Sequence, residues 1–425
     1  MLQKLKTYLA DESLFEPSDR LLLAVSGGAD SMAMLHLFMQ LPYSFVVLHC
    51  NFHLRAEESD KEEQFLRAYC QAHGVELKVQ HFNTKEFAQK EGISIEMAAR
   101  ELRYAWFRAE RESTKSRYIL TAHHQDDLVE TMLINLSRGT GIKGLTGISS
   151  KQGELVRPML FASRESILAY AQECELPFCH DSSNDQLIYH RNVIRHQIIP
   201  LFEGLNSAFR QNVVRTAAHL QSTSEIYFAE VDRLQSEIMT DNRLDITRLK
   251  ECANSSTVLY ELLSGYGFNA AQCTDIYQSL DGNSGRKFRS KSHRLIKDRS
   301  SLILADLNDV PKFLPQLMVH EEPISPNFAF STKLNSVEID ADKVCLPLKL
   351  RKWQEGDSFQ PLGMKGTKKL SDFFTDQKLS ILEKEAQWLV CSGDDIVWIV
   401  GRRIDDRFKI TKQTKRVCYL SLSVR

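Results

Sequence analysis

No run of apolar residues in the sequence approaches the roughly 18 that a membrane-spanning helix needs, so no membrane partner is expected. Secretion is not expected either: MLQKLKTYLADES turns acidic before an apolar core can develop. Paired cysteines are also absent. The nine Cys are an odd number, and no two stand in a CxxC spacing. That pattern offers neither a disulfide framework nor a thiolate zinc site, and it fits reduced thiols in the cytoplasm. Charge of one sign does not dominate, with 54 Lys and Arg against 55 Asp and Glu. No internal repeat or low-complexity tract is visible. What remains, 43% hydrophobic and 26% charged, is an ordinary globular composition that excludes a disordered or fibrous chain. At 425 residues the chain is too long for one compact core, and two or three domains are expected. The sequence leaves a homodimer open.

The near-zero net charge hides an uneven distribution. Residues 286–299 hold seven Lys and Arg against a single acid, Asp298. Residues 351–425 carry 15 basic and 10 acidic side chains, a surplus of five. The rest of the chain is therefore acidic. Basic zones on an acidic body point to a polyanionic partner such as nucleic acid, although a merely solvated face would give the same count.

Through residue 200 short apolar runs (21–25, 45–50, 77–82, 118–122) alternate with segments of helical apolar spacing (31–40, 59–73, 95–111, 126–137). Such alternation means crossover units and a mainly parallel sheet covered by helices, with ligands beyond the carboxyl ends of the strands. The expected fold class is α/β: a Rossmann-like catalytic domain at 1–204, then a mainly helical middle domain at 205–309. The middle domain opens on a long helix from about 205 to 240 and includes a basic hairpin at 291–307. Residues 310–330, with Pro311, Pro315, Pro323 and Pro326, read as a linker. A small basic α+β domain at 331–425 ends in strand-like runs at 396–401 and 417–424.

The strongest motif is LLLAVSGGADSMAML, residues 21–35. An apolar strand ends in Ser26, Gly27, Gly28, Ala29, Asp30 and Ser31, and a helix begins at once. Two glycines allow close backbone approach to a ligand, and open amides at a helix start attract phosphate. Ser26 and Ser31 add hydroxyls, and Asp30 is placed to hold Mg2+ against phosphate oxygens. No Lys follows the second glycine, so this is not a Walker A loop. A tight strand-to-helix turn with capping serines is the plainer alternative.

Other constellations are weaker alone. In TAHHQDDLVET, His123, His124, Asp126, Asp127 and Glu130 could suggest zinc, but the segment enters a helix with Asp127 and Glu130 on one face. Paired carboxylates without thiolates suit a cationic amine or Mg2+ better, and acids in a first turn can simply complement the helix dipole. Arg100, Arg103 and Tyr104 occupy neighbouring turns of another helix. Arg191 and Arg195, four apart, share a face and fit phosphate geometry, in ATP or an RNA backbone, or form an ordinary surface pair. Gly139 to Gly144 reads as GxGxxG, but it follows a helix rather than a strand. The dinucleotide reading is rejected in favour of a glycine loop over the site mouth.

The SGGADS element matches the SGGxDS signature of the PP-loop ATP pyrophosphatases, which adenylate a substrate oxygen and let a nucleophile displace AMP. Within that superfamily the stretches 49–55, 96–104, 121–131, 136–147, 157–160, 181–200 and 356–369 (GDSFQPLGMKGTKK) resemble the tRNA(Ile)-lysidine synthase family. Two places depart from it: Phe52 stands where a second His is common, with His53 displaced by one, and 380–390 lacks the usual Arg and Pro. The resemblance implies ATP-dependent ligation of L-lysine to carbon 2 of the wobble cytidine in an isoleucine tRNA with a CAU anticodon. It makes Arg100 a contact to ATP, has Asp127 and Glu130 hold the amino groups of lysine, and sets His123 at the junction of ATP and base. The expected catalytic set is then Asp30, His123, Asp127, Glu130, Arg191 and Arg195, with residues 26–31 and Arg100 on the nucleotide and Asp30 on the metal. Competing readings are a tRNA thiolase using Cys50, a nucleotide-gated RNA-binding protein without catalysis, and an enzyme that amidates a small molecule. The last would need a glutaminase domain that is not visible.

Overall fold

The computed structural model describes residues 1–54, 57–179, 190–308, 315–325, 328–330, 333 and 335–423. The four apolar runs of the first half become β1 (Arg20–Ala24), β2 (Ser44–Asn51), β3 (Leu77–His81) and β4 (Tyr118–Leu120). Two short strands, β5 (Lys151–Gln152) and β6 (Leu155–Val156), complete a sheet ordered β3-β2-β1-β4-β6-β5. All pairs are parallel except β5 with β6. Around it lie α1 (Leu2–Asp11), α2 (Ala29–Met39), α3 (Glu57–Ala72), α4 (Thr84–Glu91), α5 (Ile95–Ser113), α6 (Gln125–Arg138), α7 (Ile142–Leu145) and α8 (Arg164–Glu173).

The sheet is buried on both faces, which is why its strands read as continuous apolar runs. Leu21, Leu23 and Val47 join one core with Met32, Leu35 and Phe38 of α2, Leu66 of α3 and Ile167 of α8. Leu22, Val46, Leu48 and Ile119 face the other way, onto Phe107 of α5. Because β1 has β2 on one side and β4 on the other, the winding reverses there, and a crevice opens beyond its carboxyl end. Beyond the sheet come α9 (His190–Val193), a π-helical turn at Ile194–Ile198, α10 (Ile199–Leu205) and the 30-residue α11 (Phe209–Ile238).

The chain divides into two compact units, Met1–Phe228 and Ala229–Arg425. In the second, three helices (Ile246–Glu251, Ser255–Ser264, Ala270–Gln278) accompany a five-stranded antiparallel sheet. Its strands His293–Asp298 and Ser301–Asp306 form the basic hairpin read from the sequence. The C-terminal part is strand-rich. A four-stranded sheet built on Trp388–Ser392 packs Leu389 and Ile399 against Phe359, Leu370 and Phe374, and turns Val390 and Val397 toward Ile339, Cys418 and Leu420.

One sequence expectation changes here. The stretch 310–330 contains the strand Gln316–Pro323, paired along its whole length with Arg416–Ser423. It is an edge strand, and Pro323 stands at its last paired position. Of the same stretch, residues 310–314 and 326–327 lie outside the described residues, as does residue 424. Among the described residues no helix is long and apolar enough to cross a membrane.

Candidate active site

The turn from β1 to α2 is built from Val25, Ser26, Gly27 and Gly28. Gly27 has φ +96°, a left-handed conformation that a side chain resists. Ser31 closes the turn from inside. Its hydroxyl accepts the N–H groups of Ser26 and Gly27, each at 3.2 Å, and donates to the Gly28 carbonyl at 3.0 Å. The Ser26 hydroxyl lies 3.2 Å from it and accepts the Gly28 N–H at 3.4 Å. Ser31 thus shapes the cradle, its proton already directed to the backbone. Within α2 the N–H of Met32 is the first to find a helical acceptor, the Gly28 carbonyl. The amides of Ala29, Asp30 and Ser31 are left at the positive end of the helix, a ready site for an anion.

A cavity of about 570 Å³, within the range of small-molecule sites, is lined by this turn. Its walls include His49 and Cys50 from the end of β2, Phe52, Arg103 and Tyr104 from α5, His123, Arg164 and Phe178. Arg103, not Arg100, is the arginine of α5 in the lining. Its guanidinium sits 5.2 Å from the centre of the Phe52 ring. Arg100 is exposed and lies 5.0 Å from the centre of the Tyr104 ring. None of Gly139 to Gly144 lines the cavity, and Gly139 ends α6.

The His49 ring donates from Nδ1 to the Val25 carbonyl at 3.0 Å, and burial lowers its pKa, which fixes a neutral tautomer. His123 shares a 2.8 Å hydrogen bond between Nδ1 and the Thr121 hydroxyl. Burial, with Arg157 and Arg191 nearby, brings its pKa down to about 4, so it is neutral at physiological pH. His124 behaves oppositely. Burial works against its charge, but Asp126, Asp30 and Asp127 outweigh burial and push it up to about 10. The ring sits 3.7 Å from Asp30 Oδ2, 3.5 Å from Asp127 Oδ2 and 3.5 Å from Asp126 Oδ2.

Behind the cavity, Asp127 and Glu130 meet Arg191 and Arg195. Glu130, with no exposed surface, accepts from Nε of each arginine at 2.6 Å. Arg191 also donates to Asp127 at 2.7 Å, and the Asp127 carboxylate caps α6 by accepting the His124 N–H at 2.9 Å. Despite burial, His124 and Arg191 hold the Asp127 carboxyl below its usual range. The arginines share a face, as their spacing implies, but their partners are carboxylates.

Asp30 Oδ1 is buried with no hydrogen-bond partner, which suits a cation. Among the described residues no group of three or more His, Cys, Asp or Glu could hold a metal ion. Asp30 together with oxygens of a bound phosphate is therefore the arrangement that fits Mg2+, a cation that keeps few protein ligands.

The sequence residues thus fall in two groups: Ser26, Gly28, Ala29, Asp30, Ser31 and His123 line the cavity, while Asp127, Glu130, Arg191 and Arg195 form one buried network behind it. Arg55 and residues 181–189 of two resembling stretches lie outside the described residues. Sequence reasoning does not single out His49, and it names His124 and Asp126 only in a zinc reading it sets aside and Arg103 only beside Arg100 and Tyr104 on one helix. Arg103 stands one helical turn from Arg100, the only signal available for it.

A PP-loop domain model matches residues 1–202, a TilS substrate binding domain model 239–307, and a TilS substrate C-terminal domain model 348–422. The tRNA(Ile)-lysidine synthase of Bacteroides thetaiotaomicron is 44% identical over 417 residues, covering 98% of this chain and 98% of its own. That of Parabacteroides distasonis is 43% identical over 431 residues, covering 98% of each chain. For Porphyromonas gingivalis the figure is 36% over 449 residues, covering all of this chain and 98% of the relative. The turn between β1 and α2 falls inside the matched PP-loop domain, an ATP-using fold, and the similarity continues through both units: the chain belongs to the tRNA(Ile)-lysidine synthase family.

Proposed function

We propose that this chain ligates L-lysine to carbon 2 of the wobble cytidine of an isoleucine tRNA with a CAU anticodon, at the expense of ATP. The observation that carries the reading is the open first turn of α2, facing a cavity in which Asp30 keeps one buried oxygen without a donor. The cytidine O2 attacks the α-phosphorus of ATP, and pyrophosphate leaves. The ε-amine of lysine, with a reference pKa of about 10.4, gives up a proton and attacks carbon 2, and AMP departs with the oxygen. The amides of residues 29–31 and Arg103 stabilise phosphate charge by position. Asp30 would hold Mg2+, which would supply further neutralisation of phosphate charge. His123, neutral, borders the junction of nucleotide and base.

For lysine, Asp127 and Glu130 are the natural carboxylates, and the ammonium group takes the place of Arg191, the more exposed of the two guanidiniums at 39% against 16%. The unstacked wobble base of an anticodon loop reaches the cavity cheaply. Arg286, Arg289, Lys291 and Arg299 of the second unit are exposed and suit a phosphate backbone, whereas Lys297 is buried and donates to the Gly282 carbonyl. Nine cysteines, none in a disulfide, fit a reducing cytoplasm. A sulfur-transfer reading is disfavoured: Cys50 lines the cavity, but burial pushes its thiol up to about 12.

The test is incubation with ATP, Mg2+, labelled lysine and unmodified isoleucine tRNA bearing CAU, with methionine tRNA as control. Acid-stable label on the isoleucine tRNA alone is expected. Asp30→Ala should abolish it while sparing much of the tRNA binding; lysine incorporation retained in that variant overturns the assignment.

A further inference from the structure

A line of charged side chains runs from Asp30 at the nucleotide cavity to the start of α11, and the proposed reaction makes no direct use of its members His124, Asp126, Glu203 and Arg210. Arg210, in the first turn of α11, donates to Glu203 at 2.7 Å and to Asp126 at 2.5 Å. Asp126, 12% exposed, also accepts the Arg164 N–H at 2.8 Å and lies 3.5 Å from Nδ1 of His124. From its other nitrogen the His124 ring reaches Asp30 Oδ2 at 3.7 Å and Asp127 Oδ2 at 3.5 Å. Asp30 is thereby steadied through one oxygen, while Oδ1 is buried and unpartnered.

One imidazole is thus shared by three carboxylates. How it is shared depends on how far each carboxylate is satisfied elsewhere, because buried charges interact strongly. Asp126 is satisfied by the Arg210 guanidinium. Deprived of it, Asp126 would keep one backbone amide and draw the His124 ring toward itself, lengthening the contact with Asp30.

We propose that Arg210 is a positioning residue for the nucleotide–metal end of the site, acting through Asp126 and His124 on the orientation of Asp30. It contacts neither the cavity nor the reacting atoms. The inference rests on ATP binding in the cavity and is independent of which nucleophile follows.

Calorimetric titration of the full chain with a non-hydrolysable ATP analogue, with and without Mg2+, tests it. In Arg210→Gln the affinity for the analogue with Mg2+ should fall about tenfold, the usual scale for loss of an outer-shell partner, with the metal-free affinity unchanged. Glu203→Gln, which loosens Arg210 but leaves Asp126 intact, should show a smaller loss of the same kind, and Arg210→Lys a partial recovery. Equal losses with and without Mg2+ would make Arg210 merely structural, and no loss would make it uninvolved; either overturns the proposal. If Arg210→Gln fails to fold, Glu203→Gln decides, and an unchanged Mg2+ dependence there overturns it. A wild-type chain that binds no analogue would instead sink the reading of the cavity itself.

Discussion

Two glutamates in this molecule each receive two cationic side chains, in opposite surroundings. Glu130, in the first unit, is fully buried between Arg191 and Arg195. Glu385, in the second, is 35% exposed and is held by Lys287 and Arg294, both at 2.8 Å. On a contact diagram the two look alike. Water separates them: a buried carboxylate has surrendered its hydration and depends on its partners, whereas an exposed one exchanges them for solvent at little cost. Buried charge at the site therefore constrains what can move there, and surface charge in the second unit stays available to a passing polyanion.

The largest expected effect is at the buried pair. Glu130→Gln leaves Arg195 without its carboxylate partner and Arg191 with Asp127 alone, and should cost about 3–5 kcal/mol in urea unfolding. A cost no greater than that of the exposed pair would break the comparison. His123 sharpens it, as a buried group that stays neutral, hydrogen-bonded to the Thr121 hydroxyl. Its pKa falls from 6.5 to about 4 on folding, through burial first. Between those pH values the unfolded chain takes up a proton that the folded chain refuses. The stabilisation is thus complete above 6.5 and is lost as pH falls toward 4, by up to about 3 kcal/mol. Thermal unfolding across that window should flatten in His123→Asn; an unchanged slope would assign the dependence to other groups. Glu385→Gln should cost less than about 1 kcal/mol and nothing measurable in about 1 M salt, where screening acts within about 3 Å. A loss that survives such salt would show this pair to be effectively buried.

The parts of the molecule legible in the sequence are those fixed by local rules. Strands β1 to β4 announce themselves because parallel strands are apolar on both faces, and the SGGADS turn because few other jobs need two glycines and an acid there. Arg100 against Arg103 could not be settled that way: both suit the same helix, and only its rotation against the sheet decides which one meets the cavity. Arg191 and Arg195 share a face as their spacing implies, yet their carboxylate partners lie some sixty residues earlier on α6. Arg210 is further still from Asp126, and no periodicity links them. The strand Gln316–Pro323 is hidden by the prolines in and around it, since its pairing depends on the distant Arg416–Ser423.

That strand has a consequence in time. Gln316–Pro323 and Ser336–Asp340 do not pair with each other; each pairs only with Arg416–Ser423, which lies between them. On the ribosome both emerge well before their common neighbour and must wait with bare edges. Glu321 and Glu322 on the first strand and Glu338 on the second put charge on those waiting edges, which discourages association between nascent chains. This sheet can close only after Arg416–Ser423 has been translated, so a message cut short before that strand would yield a product whose first unit is complete and whose second cannot finish.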